Sequence, residues 1–264
     1  MTIRYVLKIQ YLGENYRGSQ KQPNGNTIQN KLEEALCTLI KKDIRTIFSG
    51  RTDSGVSARC QSVHFDIGFE ILDKLKFLKS LNAILPDDIR VFNIEKADEC
   101  FHVQKSAKFR HYKYVIRNHF CDDVFDKCVL HYPYKLDANR MDAALAYLVG
   151  VHDFSAFKSK SDNPACLCEI YLAQARRSSD NKYVIIDIIG NRFLYNMVRT
   201  IVGTLLLIEK NNLEPLSMLE ILKSKDRSRA GITAPAVGLT LESVGYNNCL
   251  EYIKTNKNIG KVHK

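Results

Sequence analysis

Ser49-Gly50-Arg51-Thr52-Asp53-Ser54-Gly55-Val56-Ser57-Ala58 puts a carboxylate, a guanidinium and a pair of glycines into one short turn. Runs of β character flank it, Thr46–Gly50 before and Gln61–Ile67 after. Glycine tolerates φ > 0 and close approach of a second group, so Gly50 and Gly55 suit a tight loop that holds Asp53 outward. On spacing alone Asp-Ser-Gly is ordinary turn chemistry, and Arg51 with Asp53 reads first as a structural pair. A catalytic carboxylate is the second reading.

Outward from that loop, Ile3–Tyr11 alternates, with Ile3, Tyr5, Leu7, Ile9 and Tyr11 on one face, as a half-buried strand does. A polar loop follows, with Tyr16, Arg17, Gly18, Ser19, Gln20, Lys21 and Gln22. Its cations and amides suit a phosphate backbone, and Tyr16 could offer a ring to a base. Thr27 caps a helix reaching about Lys41, with the stripe Ile28, Leu32, Ala35, Leu36, Leu39 and Ile40. A second helix, about Leu72–Leu85, carries Leu75, Leu78, Leu81 and Leu85, and Pro86 stops it. Ile89–Lys96 is a further strand. The order β-α-β-β-α-β is the ferredoxin-like arrangement.

Phe109–Asn118 opens a second half as a strand that mixes rings with cations in Arg110-His111-Tyr112-Lys113-Tyr114. Asp137 caps a helix to Val149. Strands follow at Cys168–Ser178 and Lys182–Gly190, then a long helix at about Arg192–Lys210, a shorter one at Leu216–Lys225 and a closing strand at Leu239–Tyr246. The order again resembles β-α-β-β-α-β with one helix inserted. The expected fold class is therefore α+β: two ferredoxin-like halves, 1–105 and 106–250, joined into one extended antiparallel sheet with helices on one face. A basic, loose tail at 251–264 is expected to follow.

The 264 residues carry 39 Lys and Arg against 29 Asp and Glu, a net +10 that favours an anionic partner such as nucleic acid. Eight cysteines at irregular spacing fit reduced thiols better than a disulfide framework or a zinc module. The chain starts in a strand with no apolar signal core, and no run approaches the ~20 apolar residues that span a bilayer. A cytoplasmic protein without a membrane segment is expected. No dinucleotide or phosphate-loop glycine motif and no ligand cluster occurs in the sequence.

The decapeptide resembles the GRTD-x-GV-x-A signature of the tRNA pseudouridine synthase A (TruA) family. Tyr11–Gln22 is similar to that family's Y-x-G-x-x-Y-x-G-W-Q-x-Q, with Ser19 in place of Trp. Arg110-His111-Tyr112-Lys113-Tyr114 matches its R-x-Y-x-Y. Phe193, Leu194, Met197, Val198, Arg199, Val202 and Gly203 reproduce F-L-x-x-M-V-R-x-x-V-G. Gly150–Phe157 matches G-x-H-D-F-x-x-F, and 230–239 resembles A-G-x-T-A-P-A-x-G-L. Ser57 stands where the family commonly has His, and Thr240 where it commonly has Tyr.

The resemblance implies isomerisation of uridine to pseudouridine in the anticodon stem-loop of tRNA, at positions 38, 39 and/or 40, by a cofactor-free homodimer. It implies Asp53 as the essential nucleophile, attacking C6 or C1′, with Arg199 and Arg51 pairing its charge. Without the resemblance, Arg199 reads equally as a buried cation in need of an anion or as an arginine on an exposed helix edge. Tyr112 would stack on the uracil, whereas by alternation alone it is a core tyrosine. Arg110, Arg17, Gln20 and Lys21, with Arg59, Lys108 and Lys158, are candidate RNA contacts. Two rivals stand beside this reading. One is a non-catalytic RNA-binding module on the same sheet. The other is a glycosidic hydrolase, which needs a second carboxylate, and Asp153 is the sole candidate within the motifs.

Overall fold

The computed structural model describes residues 2–23, 25–120, 126–160 and 165–256. In chain order its elements are β1 (Ile3–Tyr11), α1 (Ile28–Ile40), β2 (Thr46–Phe48), β3 (Ser57–Ile67), α2 (Lys74–Ile84), β4 (Ile89–Ala97) and β5 (Phe109–Arg117). There follow β6 (Leu130–His131), α3 (Ala138–Ala146), β7 (Gly150–Asp153), β8 (Leu167–Arg177), β9 (Tyr183–Gly190), α4 (Met197–Lys210), α5 (Ser217–Ser224), β10 (Leu239–Gly245) and α6 (Cys249–Thr255). The class is α+β. Two compact units result: residues up to Ala107 together with Thr240–Tyr246, and Lys108–Leu239 together with the chain from Asn247. The boundary expected after 105 thus falls after 107, and β10 groups from Thr240 with the first unit rather than the second.

In the first unit the strands run β4-β1-β3-β10, with β2 also on β3. This is the neighbour order of a ferredoxin-like βαββαβ unit with β10 added. Strand β1 pairs antiparallel with β3 and β4, Leu7 facing Val63 and Ile94. The alternation read in β1 holds: Tyr5, Leu7, Ile9 and Tyr11 are all buried. Burying Leu7 and Ile9 contributes about 1.5–3 kcal/mol each. Strand β10 departs from a purely antiparallel sheet, because Thr240 and Leu241 pair in parallel with Ser57 and Ala58.

Helix α1 starts where Thr27 Oγ1 accepts from the Asn30 N–H at 3.2 Å. It ends on Lys41 in the left-handed region at φ 59°. Its buried face includes a carboxylate, Glu33, which accepts from the Thr46 N–H at 2.9 Å and ties β2 to the helix. Burial pushes the Glu33 carboxyl up, but hydrogen bonds from Thr46, Gln29 and Lys21 outweigh it and leave the group below its ordinary value. Helix α2 is shorter than expected, because Asp73 caps it at Lys76 N. Leu81 is its buried leucine; Leu75 is exposed, and Leu72 lies before the helix.

The second unit orders its strands β5-β9-β8-β7, with short β6 parallel to β5. Strands β5 and β9 pair antiparallel, Tyr112 facing Ile188 and Lys113 facing Asp187. Helix α3 packs on β8 and begins at the Asp137 cap. The long helix expected from Arg192 begins only at Met197. Asn196 takes φ 60° just before it, and a left-handed residue cannot belong to a right-handed helix. Residues 251–255, expected as loose tail, are helical in α6. The chain beyond Asn256, like Cys121, lies outside the described residues. No described helix is long and apolar enough to cross a membrane.

Candidate active site

The Asp53 loop is held at the residues on either side of the carboxylate. Gln61, fully buried on β3, donates from Nε2 to the Gly50 carbonyl at 2.9 Å and accepts from the Ser49 hydroxyl through Oε1. Thr52, immediately before Asp53, makes three buried hydrogen bonds. Its N–H donates to Ser19 Oγ at 2.9 Å, its carbonyl accepts from the Ser19 N–H at 3.1 Å, and its hydroxyl meets the Tyr11 hydroxyl at 2.9 Å. The Val56 N–H closes the turn onto the Asp53 carbonyl at 3.1 Å. Gly55 has φ +79°, as the turn reading requires, whereas Gly50 is not among the residues with positive φ. Asp53 is left half-buried and Arg51 exposed.

Burial pushes the Tyr11 hydroxyl up to about 12, opposed by its hydrogen bonds to Thr52, Gln61 and Ser19. It is therefore a protonated donor at neutral pH. The Tyr11, Ser19 and Gln61 side chains thus converge on the backbone that presents the carboxylate. Such a network restricts a loop more than its turn residues do, because each buried polar group lost would cost desolvation energy.

The 13–22 loop is the other half of this clamp. Gly18 takes φ +87°, and a Cβ there would stand 2.8 Å from the Thr52 carbonyl oxygen. Both facts require glycine. Ser19 is buried, so the position that departs from the family's Trp has a definite structural task here. Tyr16 is also buried and donates to Asp88 Oδ1 at 2.5 Å, so its ring is not offered to a base. Arg17, Gln20 and Lys21 are exposed, and the Lys21 ammonium lies 3.1 Å from Glu33 Oε2. Arg59 is exposed with Nε 3.4 Å from Glu242 Oε1.

In the second unit Tyr112 is 9% exposed, and its ring meets Phe193 edge to face at 5.1 Å. Arg110 donates to the Asn191 carbonyl at 2.7 Å. These contacts bring β5 against 191–193, the turn that precedes α4. Lys108 is exposed on the same unit, while Lys158 is half-buried.

Arg199 sits in the first turn of α4, half-buried. Its Nε donates to the Ala234 carbonyl at 2.7 Å and its Nη1 to Asn196 Oδ1 at 2.9 Å. The Ala234 N–H returns a bond to the Arg199 carbonyl at 3.1 Å. The small-residue loop 230–235 can lie this close because α4 carries Gly203: a Cβ there would stand 1.7 Å from the Ile232 carbonyl oxygen. Tyr114 donates to the Pro235 carbonyl at 2.8 Å and braces the far end of that loop. Burial raises the Tyr114 hydroxyl above its ordinary range, partly offset by the Arg199 charge.

Asp153 is committed elsewhere. Its Oδ1 accepts from the Ser155 N–H at 3.0 Å, and its Oδ2 lies 3.1 Å from Lys225 Nζ. The Ser155 and Lys225 interactions hold its carboxyl below the usual range. It is a turn cap and ion-pair partner, unlike the raised-pKa acid that a glycosidic hydrolase needs. Among the described residues no group of three or more His, Cys, Asp and Glu side chains could hold a metal ion.

Sequence reasoning gives Tyr11 and Gln61 only as strand residues and Thr52 and Phe193 only as motif letters, not as the residues that brace the Asp53 loop or meet Tyr112. Ser19 carried a signal, a small hydroxyl where an aromatic ring was expected, but its partner is 33 residues away.

The Asp53 loop is clamped within one unit, and Tyr112 and Arg199 are each held by contacts within the other. A family model described as tRNA pseudouridine synthase matches residues 8–105 and 144–247. The chain belongs to that family. Curated proteins named tRNA pseudouridine synthase A are similar along nearly their whole length. That of Bacillus pumilus (strain SAFR-032) is 39% identical over 245 residues, 91% of this chain and 98% of its own. That of Exiguobacterium sp. (strain ATCC BAA-1283 / AT1b) is 40% identical over 248 residues, 92% of this chain and 98% of its own. That of Thermoanaerobacter pseudethanolicus is 38% identical over 244 residues, 91% and 98% respectively.

Proposed function

We propose that this protein isomerises uridine to pseudouridine in the anticodon stem-loop of tRNA, with Asp53 as the nucleophile. The observation that carries the site assignment is the Thr52 clamp, which fixes the backbone at the residue before the carboxylate. A carboxylate held in this way is positioned before substrate arrives, and little ordering remains at the moment of reaction.

The reaction breaks the N1–C1′ bond, turns the uracil and joins C5 to C1′; the C5 proton leaves and N1 gains one. Asp53 either adds to C6 or takes the sugar at C1′. Arg199, with Arg51, would hold the Asp53 carboxylate ionised. Tyr112 stacks on the uracil, which must leave the helical stack at a cost of about a few kcal/mol. The net +10 charge offsets that cost through phosphate contacts, with Arg110, Arg17, Gln20 and Lys21 on the RNA side. The enzyme works in the cytoplasm as a homodimer.

The test follows tritium release from tRNA transcribed with C5-tritiated uridine, in EDTA, for wild type and Asp53→Asn. Release by wild type alone supports the assignment. Binding without release by either protein makes the chain an RNA-binding module, and free uracil makes it a hydrolase.

A further inference from the structure

The family model ends at residue 247, and α6 lies beyond it. This appended helix begins where Asn248 Oδ1 accepts from the Leu250 N–H at 2.9 Å. Cys249, Tyr252 and Ile253 pack on Phe109 of β5 and Ile189 of β9, both buried. The Tyr252 ring lies 4.7 Å from that of Phe109.

Beneath the packing runs a buried polar chain. Asp187, fully buried on β9, lies 2.8 Å from His111 Nε2 through Oδ1 and 2.5 Å from Arg176 Nη1 through Oδ2. Burial would raise the Asp187 carboxyl, but His111 and Arg176 outweigh it and keep the group below its ordinary value, hence ionised. An ionised carboxylate can only accept, so Nε2 carries the hydrogen of that bond. His111 Nδ1 in turn lies 2.9 Å from the Tyr252 hydroxyl. The hydroxyl of an appended helix therefore completes a hydrogen-bonded chain that ends on the strand carrying Arg110 and Tyr112.

His111 and Tyr112 are consecutive, so their side chains point to opposite faces of β5. A side chain locked on one face fixes the peptide from which the next one hangs. We propose that α6 is a C-terminal latch, and that Tyr252 is a positioning residue which, through His111, holds β5 so that Tyr112 meets the target base. The proposal rests on the reading of Tyr112 as the ring that stacks on uracil.

Three proteins test it: the full chain, Tyr252→Phe and a chain ending at Asn247. Tyr252→Phe keeps the ring on Phe109 and removes only the hydroxyl, so it remains informative even where the shortened chain does not fold. Hydrogen exchange of the amides at 110–112 is read without substrate. Tritium release in a single turnover at saturating tRNA, and the Kd for tRNA, are read separately. In Tyr252→Phe the amides exchange about fivefold faster and the single-turnover rate falls about fivefold, the scale of one net hydrogen bond, with Kd unchanged. Unchanged exchange overturns the latch. Faster exchange with an unchanged rate makes α6 a structural cap and overturns the positioning role. Absence of tritium release by the full chain refutes the pseudouridine reading instead, and the exchange data still decide the latch.

Discussion

Ser19→Ala removes one oxygen from the clamp on the Asp53 loop and little else. The Ser19 N–H still donates to the Thr52 carbonyl, and Tyr11 still meets the Thr52 hydroxyl. What is lost is the acceptor 2.9 Å from the Thr52 N–H, together with the Ser19 hydrogen bond to the Tyr11 hydroxyl, at a site where Ser19 itself is 1% exposed. A buried donor left without a partner costs about 1–3 kcal/mol. A destabilisation of that size lowers Tm by about 2–4 °C for each kcal/mol in a chain this large. Thr52 directly precedes Asp53, so the same free energy separates the held loop from displaced ones. The rate of the chemical step should fall about tenfold for each 1.4 kcal/mol. The assay is single-turnover tritium release at saturating tRNA beside a thermal melt, with Glu14→Ala as an exposed control in the same loop. Affinity for tRNA stays as it was, because the deleted oxygen is buried. A Ser19→Ala protein with wild-type rate and melting temperature would refute the reasoning, since the Thr52 N–H would then have had no need of this acceptor.

Three further perturbations probe other parts of the molecule. Gly18→Ala sets a methyl 2.8 Å from the Thr52 carbonyl oxygen at φ +87°, and should cost more than about 1 kcal/mol by denaturant unfolding. Arg199→Lys forfeits the fork that reaches both Ala234 and Asn196, and should lower kcat about a hundredfold with tRNA binding retained, as seen in single-turnover against filter-binding assays. His64 is depressed to about 4, first by burial and then by the Arg4 and His102 charges. Its unfolded form takes a proton near 6.5 and its folded form only near 4, so stability should fall as pH drops through that window and level off below it. His64→Gln should flatten that part of the stability–pH curve, and an unaltered slope would remove His64 from the account.

The strands of the first unit were legible because their pattern is local. Tyr5, Leu7, Ile9 and Tyr11 alternate within nine residues, and the alternation is also the burial. The start of α4 was not legible, because Phe193 and Leu194 extend its apolar run backward while the left-handed Asn196 interrupts it. The tail was misread from its Lys and Asn content, whereas Tyr252 and Ile253 dock it. In α2, periodicity placed Leu75 on the inner face, but the helix buries only Leu81 there. The candidate site divides in the same way. Asp53, Tyr112 and Arg199 were visible through motifs of a few residues each, while what holds the Asp53 loop depends on contacts between distant positions that no local pattern encodes.

The three positions where this chain departs from the family pattern gather around that one loop. Ser19 bonds Thr52 at both its N–H and its carbonyl. Ser57, the residue that ends the decapeptide's turn, accepts the Gly13 N–H at 3.0 Å through its hydroxyl. Thr240 lies opposite Ser57 in the parallel register of β10 and β3. All three carry buried hydroxyl side chains. Three buried hydroxyls therefore gather around one loop, and those of Ser19 and Ser57 accept backbone N–H groups of Thr52 and Gly13. The Asp53 loop is thus held by buried hydroxyls that take no part in the proposed chemistry.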